Sequence, residues 1–562
     1  MFVPIHQPQT LLRNILRNGY FPISALAFFY PEIQLGMDFC RVDLTGISLL
    51  IVFVILLVFS SQQQDLWQAV RIMPWWLNVF CMLTVGGVSY CLYQNAITFL
   101  EEQPVLLAWQ AAYPDIQNLP ELASLFLALI ASLFVYVCLA LFWKYFSVVI
   151  QELAIFQKLT FYEIVFYILL VGGAILLSAL VYSHTEVFYG MTGTGYDTIY
   201  TSDSGGLLSQ MAYLALSFPE NDLRQPLFAV FSAPFVGAPY LLSQIFHLSL
   251  SSEAILVNSL QIPLLFAGHL ALAKALRLSP VQRSCFVLIS SLTYAHLLSI
   301  LMIEQYVVAY FWLCITICAL ANRYHAAEMP LYAAGGTLLT SLALLPFISM
   351  TPFRESVLKW SKKIISSAFG FLILLLACGR FDVLYSVGAK LLSLSTFSGK
   401  TVSLSERLRQ YTHFIHDCIL APAAHSGINY NTTIPHISWM HDTANTLSII
   451  GIALFILASF GAILTFRQRI SRLAIFWIFF SVVLLLIVGW GTKENGLILY
   501  ALYFSWAFVI LLFQLPVWLD QRLHTNVITP LSTILFSALL VFYNVHGLWD
   551  MVSFGINYYP VG

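Results

Sequence analysis

The chain has 562 residues, of which 60 % are hydrophobic and 9 % charged, with a formal net charge of −1; its mean hydropathy is +0.84 and its pI about 6.9. A water-soluble domain carries roughly 25 % charged residues, so this chain lacks the polar surface to fold in water and needs lipid as solvent. The charge balance leaves no basic footprint for nucleic acid, and long apolar runs in place of short alternating strands exclude a β-barrel. The expected fold is an all-α polytopic transmembrane bundle of about 13–14 spans with two long outer loops.

Met1 to Tyr20 lacks the succession of basic, apolar and small-residue regions that marks a signal peptide, so insertion is expected to rely on the spans themselves. An apolar stretch at about 20–37 is broken by Pro22, Pro31 and Glu32 and reads as interfacial or re-entrant. Spans are predicted at about 44–60, 75–98 and 122–147, and residues 1–157 are read as an N-terminal membrane module. Further spans follow at about 162–183, 254–276, 282–300, 305–321, 330–347 and 363–380, within a segment 158–380 that contains the first long loop, 184–253. After a second long loop at 381–443, spans at about 444–464, 473–490, 497–516 and 527–545 make up the C-terminal part, 444–562. The stretch Leu227 to Leu248 carries Pro234 and Pro239 and reads as a kinked span or as interfacial helices. No internal repeat of the transporter kind stands out.

Basic loop residues orient a membrane protein. Placing Arg71, Lys158, Lys274, Arg277, Arg283, Arg323, Arg467, Arg469 and Arg472 in the cytoplasm puts the loops at 99–121, 184–253, 301–304, 381–443 and 491–496 outside. Two ordinary spans between Arg323 and the second long loop would break this scheme, so 330–347 reads either as a span, with the parity left open, or as a hairpin that does not cross, with Gly335-Gly336 supplying its bend.

The outer loops carry the candidate chemistry. Glu186, Asp197 and Asp203 follow directly on a span, among turn-forming Gly and Ser. Such a carboxylate takes a proton from an acceptor hydroxyl or helps to hold a metal, or it simply keeps the loop in water. Gly193-Thr-Gly195 lacks the strand and the third glycine of a dinucleotide loop. The run after Gly206 suits an amphipathic helix lying on the membrane. Arg224 stands where the chain returns to the apolar phase and suits either a bidentate lipid phosphate or ordinary headgroups. Glu304, at a tight turn between two apolar spans, reads as functional, with capping of the next helix as the bland alternative. Lys493 and Glu494 form either a plain ion pair or a second wall of the same site. In the second long loop, His413 and His416 have the spacing of some metal pairs, but His425, His436 and His441 add no defining spacing and a solvated His-rich loop is the simpler reading. Asn431-Thr-Thr433 is a glycosylation sequon only in a eukaryotic secretory pathway. The nine cysteines are scattered, and Cys314 and Cys318 read as packed thiols within a span.

A span, an outer loop with an early acid (Asp197 or Asp203), the sequence Arg224-Gln-Pro-Leu-Phe228, a basic turn from Lys274 to Arg283 and an acid at the next outer turn (Glu304) follow one another in this order. The pattern resembles the GT-C superfamily of membrane glycosyltransferases over roughly 160–345, and the C-terminal spans in general outline. The resemblance implies transfer of a sugar from a polyprenyl-phosphate donor to a glycan or lipid acceptor at the outer leaflet, for modification of a cell-envelope glycan or glycolipid, in a bacterial cell membrane. It assigns the acceptor base to Asp203, with Asp197 as rival, and matches Glu304 to an acid that helps some members hold a divalent metal. It turns Arg224, with Lys493 beside it, toward the donor phosphate. Many members have His-Pro where this chain has Gln225-Pro226, and Glu304 has no adjacent carboxylate. A transporter or flippase of lipid-linked or polysaccharide substrates, and a non-catalytic scaffold, are the competing readings. Loop-end acids favour surface chemistry over transport.

Overall fold

In a computed structural model, the structure describes residues 8–40, 45–62, 66–101, 111, 119–153, 158–189, 224–323, 327–348, 357–378, 380, 402–422, 424–429, 434–439, 446–491 and 497–561. The chain divides into two compact units, one of Met1–Glu152 with Phe353–Ser386 and one of Leu153–Pro352 with Val387–Gly562.

The first unit contains the helices Pro8–Asn18, Tyr20–Cys40, Thr45–Gln62, Trp67–Ile72, Trp75–Glu101, Leu119–Leu153 and Val357–Ala377. Their apolar faces meet around Phe21, Phe29, Val52, Leu56 and Phe134, with the Phe21 and Phe134 rings 5.1 Å apart. The interrupted stretch at 20–37 is helical despite its prolines. Asn18 ties it down: its side-chain amide donates to Ser60 O at 3.0 Å and its oxygen accepts from Leu66 N at 3.4 Å.

The second unit is a bundle whose helices run between two recognisable ends. One end is basic. Arg283, at the start of Pro280–Leu292, binds Glu163 of Phe161–Tyr182 through Nε at 2.8 Å and Nη2 at 3.0 Å. Glu163 also completes a capping box with Thr160. Arg323 and Arg472 both lie within electrostatic reach of Arg469. At the opposite end, Tyr182 donates to Leu301 O and Asn258 donates to Ile300 O. There Thr185 also pairs with Pro560 beyond the last helix, Ile528–Tyr558.

Among the described residues eight helices are long and apolar enough to cross a membrane, or nine when Pro280–Leu292 and Tyr294–Leu301, bent by 66°, count as one. The protein is therefore a multi-pass membrane protein. The described residues hold fewer such helices than the 13–14 expected, because several expected spans are short or broken apolar helices, among them Gly46–Leu57, Leu339–Ile348 and Ile449–Thr465. The 66° bend leaves backbone groups open in an apolar setting, and these are satisfied from outside the helix pair. Asn544 donates to Leu292 O at 2.7 Å and to Ile419 O at 2.9 Å, while Ile419 O also accepts from Tyr294 N at 3.0 Å.

The segment read as either a span or a non-crossing hairpin doubles back on itself. Glu328–Thr337 is α-helical, the backbone turns extended at Leu338, and Leu339–Ile348 returns as a 3-10 helix. Both ends lie by Arg469, which reaches Arg323 electrostatically and donates to Phe347 O at 3.0 Å. Ten α-helical residues rise about 15 Å, half of a roughly 30 Å core. The glycine pair serves close packing here more than bending. A Cβ on Gly335 would stand 2.5 Å from Leu342 Cδ2 of the returning 3-10 helix, and one on Gly336 would stand 2.8 Å from Leu227 Cβ.

The second long loop is not without structure. It contains the helix Leu404–Asp417, capped by Ser403, and an antiparallel hairpin of Ala424–Asn429 with Ile434–Trp439, so the all-α expectation needs one β-hairpin added.

Candidate functional site

The tip of the hairpin is met by the segment that begins at Arg224. Leu227 N donates to Gly336 O at 2.8 Å, and Leu339 N donates to Arg224 O at 2.7 Å. The segment 224–227 and the hairpin tip thus satisfy each other's open backbone groups, the condition for irregular backbone inside a membrane. From there Phe228–Ser232 runs on through the π turn Ala233–Gly237, with Phe231 against Trp312 at 5.8 Å, to Ala238–Phe246. This chain segment ends beside Leu250–Ala275, where Ser243 donates to Glu253 at 2.6 Å.

Arg224 is half-buried, held by its own carbonyl at the hairpin tip. Glu304 is buried, with 5 % of its surface exposed. It occupies the N-cap position of Gln305–Asn322 with extended backbone, yet its side chain makes no capping hydrogen bond. A side-chain capping hydrogen bond is therefore not what places this acid at the helix start. Arg224 and Glu304 both lie within electrostatic reach of the Tyr306 phenol, which is hydrogen-bonded to Tyr500. The Tyr306 and Tyr500 rings meet edge-on at 5.5 Å.

Tyr500 in turn accepts from Trp490 Nε1 at 3.0 Å. Gly489 and Gly491 have φ of 72° and 74°, a left-handed backbone that favours glycine and that folds Trp490 down onto Tyr500. This turn leads directly into the segment carrying Lys493. The 224 segment, the 304 turn and the turn at 489–491 thus converge on a tyrosine pair backed by a tryptophan.

Close by in the fold, the start of the first long loop is pinned. Thr185 Oγ1 donates to Tyr559 O at 2.7 Å, Glu186 N donates to Tyr559 O at 3.1 Å and Tyr189 donates to Tyr182 O at 3.0 Å. Burial pushes the Tyr189 phenol above its ordinary value, partly offset by Ser251. Tyr182 donates to Leu301 O, three residues before Glu304, so the loop leaves the bundle beside the candidate site.

Asp197, Asp203 and Lys493, and the expected amphipathic helix after Gly206, lie outside the described residues. Of the second-loop histidines, His413 Nε2 bonds Thr446 O at 3.1 Å and His416 Nδ1 bonds Asp417 at 2.8 Å, so the pair faces separate partners. Among the described residues no three His, Cys, Asp or Glu side chains come together as a metal set. Tyr306, Tyr500 and Trp490 were not singled out in the sequence. Tyr306 stands two positions after Glu304, but nothing local marks Tyr500 or Trp490, which depend on the turn at Gly489 and Gly491. No protein-family model, curated protein or solved structure matches the chain.

Proposed function

We propose that this protein is an inverting membrane glycosyltransferase of the GT-C kind. It would transfer a sugar from a polyprenyl-phosphate donor to a glycan or lipid acceptor at the outer face of a bacterial cell membrane, in building or modifying the cell envelope. The observation that supports the reading is that a cation and a buried acid, Arg224 and Glu304, both lie within electrostatic reach of one tyrosine, Tyr306.

In this reading the Arg224 guanidinium binds the donor phosphate and stabilises the charge that develops on it as the glycosidic bond breaks. Lys493 assists from the neighbouring turn. Asp203, or its rival Asp197, takes the proton of the acceptor hydroxyl as that oxygen attacks the anomeric carbon from the face opposite the phosphate. That alignment inverts the configuration. Glu304 positions the acceptor through Tyr306. Among the described residues Glu304 belongs to no set of three metal-binding side chains, and no step is assigned to a metal.

The experiment is turnover. Purified protein is given polyprenyl-phosphate sugars and candidate acceptors, and compared with Asp203→Asn and Glu304→Gln. Loss of about 100-fold or more in either variant, with folding intact, is the expected outcome for a base or positioning acid. Movement of intact lipid without bond cleavage would instead establish the second reading, a transporter, which the buried imidazoles of the membrane interior favour.

A further inference from the structure

Deep in the second unit, one helical turn on from Tyr306, three spanning segments bring together a chain of polar side chains. His269 of Leu250–Ala275, His296 of Tyr294–Leu301 and Tyr310 of Gln305–Asn322 are 4 %, 0 % and 1 % exposed. The Tyr310 hydroxyl lies 2.7 Å from His269 Nδ1, and His269 Nε2 lies 2.7 Å from His296 Nδ1. His296 Nε2 is buried without a hydrogen-bond partner. At the other end, Tyr310 is hydrogen-bonded to Cys314. Cys318 follows one turn on, receives Asn322 Nδ2 at 3.5 Å and lies within electrostatic reach of Lys274 at the basic end.

Tyr310, Cys314, Cys318 and Asn322 recur every four residues and so form one stripe along their helix. From Tyr310 to Asn322 the stripe spans about 18 Å. Gly268 makes room for it, since a Cβ there would stand 3.0 Å from Tyr310 Cε1 and 3.3 Å from Cys314 Sγ. Tyr182, of Phe161–Tyr182, joins the same interior from the outer side through Asn258. Asn258 Oδ1 and Gln261 Oε1, up the helix from His269, are likewise buried without partners.

We propose that His296, His269 and Tyr310 form a proton relay inside the membrane, opening at His296 Nε2 and leading along the Gln305–Asn322 helix to the basic end. The chemistry follows from the tautomers of two neutral imidazoles, each with one N–H and one bare nitrogen. In one setting, His296 Nδ1–H donates to His269 Nε2, His269 Nδ1–H donates to the Tyr310 oxygen, and Tyr310 O–H points to Cys314. His296 Nε2 is then bare. A proton from water that binds there sends the Nδ1 proton of His296 to His269 Nε2. His269 passes its Nδ1 proton to the Tyr310 oxygen, and the proton already on that oxygen leaves toward Cys314 and the water of the basic end. The chain is left in the opposite setting, with Tyr310 donating to His269, His269 to His296, and Nε2–H outermost. One proton enters, one leaves, and the three side chains end uncharged. Each imidazole returns to the first setting by tautomer exchange through water, one proton lost at Nε2 and one gained at Nδ1, while the Tyr310 hydroxyl rotates back toward Cys314. The relay stands independently of sugar transfer and holds for either functional reading.

The test uses the full chain in vesicles loaded with a pH-sensitive dye, with a proton gradient imposed and charge balanced by potassium and valinomycin. The wild type is expected to dissipate the gradient several-fold faster than protein-free vesicles. Tyr310→Phe, which keeps the ring, and His269→Gln are expected to remove most of that excess. Ser299→Ala, whose hydroxyl bonds only the backbone of its own helix, is expected to leave it unchanged. A wild type no faster than empty vesicles, or a Tyr310→Phe variant that conducts like wild type, overturns the proposal. Because His269→Gln can fail to fold, nitrogen-15 resonances of the imidazoles provide a second readout. Tyr310→Phe must shift the tautomer balance of both His269 and His296, and a His296 ring indifferent to it refutes the relay.

Discussion

Replacing Glu163 with alanine removes a carboxylate that is fully buried and engaged on two sides. Arg283 binds it through two nitrogens at 2.8 and 3.0 Å, and Thr160 donates to it through its backbone N at 2.8 Å and its hydroxyl at 2.7 Å. Breaking a buried ion pair by removing one partner costs about 3–5 kcal/mol, and loss of a helix cap costs about 1 kcal/mol. The Arg283 side chain keeps 19 % of its surface exposed and can turn to water, which places the pair at the low end of its range. The expected loss for Glu163→Ala is therefore about 4 kcal/mol in all. Glu163→Gln keeps an acceptor for Thr160 and is expected to lose about half as much. Equilibrium unfolding of the purified protein in mixed micelles reads both. A double-mutant cycle with Arg283→Met isolates the pair, and its coupling is expected at about 1–3 kcal/mol. Glu163→Ala within about 0.5 kcal/mol of wild type, or a cycle with no coupling, would refute the reasoning that this pair clamps the basic end.

The hairpin tip gives a second expectation. Gly336→Ala forces a Cβ to within 2.8 Å of Leu227 Cβ and 3.0 Å of the Phe231 ring, so the 224–228 segment must shift. Overpacking of this kind costs about 1–3 kcal/mol, and turnover is expected to fall further than stability because Arg224 moves with the segment; equal wild-type turnover would contradict this. In the Leu404–Asp417 helix, hydrogen bonds from Arg409, its charge and a bond from Gln410 hold the Glu406 carboxyl below its ordinary value against the effect of burial. A carboxyl lowered on folding stabilises above its unfolded value, and that contribution fades as pH falls through the lowered one. Glu406 is 37 % exposed and screened, so the effect is small. Acid titration of unfolding should show it shrink in high salt and vanish in Arg409→Met, and an acid limb unchanged by that substitution would count against it.

The helices were legible because an apolar run of span length is a strong signal with few alternatives. The predicted 162–183 and 305–321 fall on Phe161–Tyr182 and Gln305–Asn322. The hairpin at 328–348 was readable only through charge parity, since its residues are as apolar as those of a crossing helix. Its break comes after the glycine pair, at Thr337–Leu338, where the partner backbone of Arg224 and Leu227 supplies hydrogen bonds that no local pattern announces. The hairpin of Ala424–Asn429 and Ile434–Trp439 was hidden by reading its histidines for their chemistry. Arg224 and Glu304 were visible as charges at apolar boundaries, which are costly and therefore conspicuous. The aromatic residues around them, and the His269–His296–Tyr310 chain, come from separate helices or turns and carry no spacing that links them.

The central claim is that the Arg224, Glu304 and Trp490 end of the bundle faces outward while the basic end faces the cytoplasm. Ser183 and Asn526 are exposed residues at these opposite ends. Ser183→Cys and Asn526→Cys are labelled in intact cells with a membrane-impermeant maleimide, against the unsubstituted chain as background. The account predicts that Ser183→Cys labels at once and that Asn526→Cys labels only after permeabilisation; the reverse order, or both labelling from the same side, would contradict it.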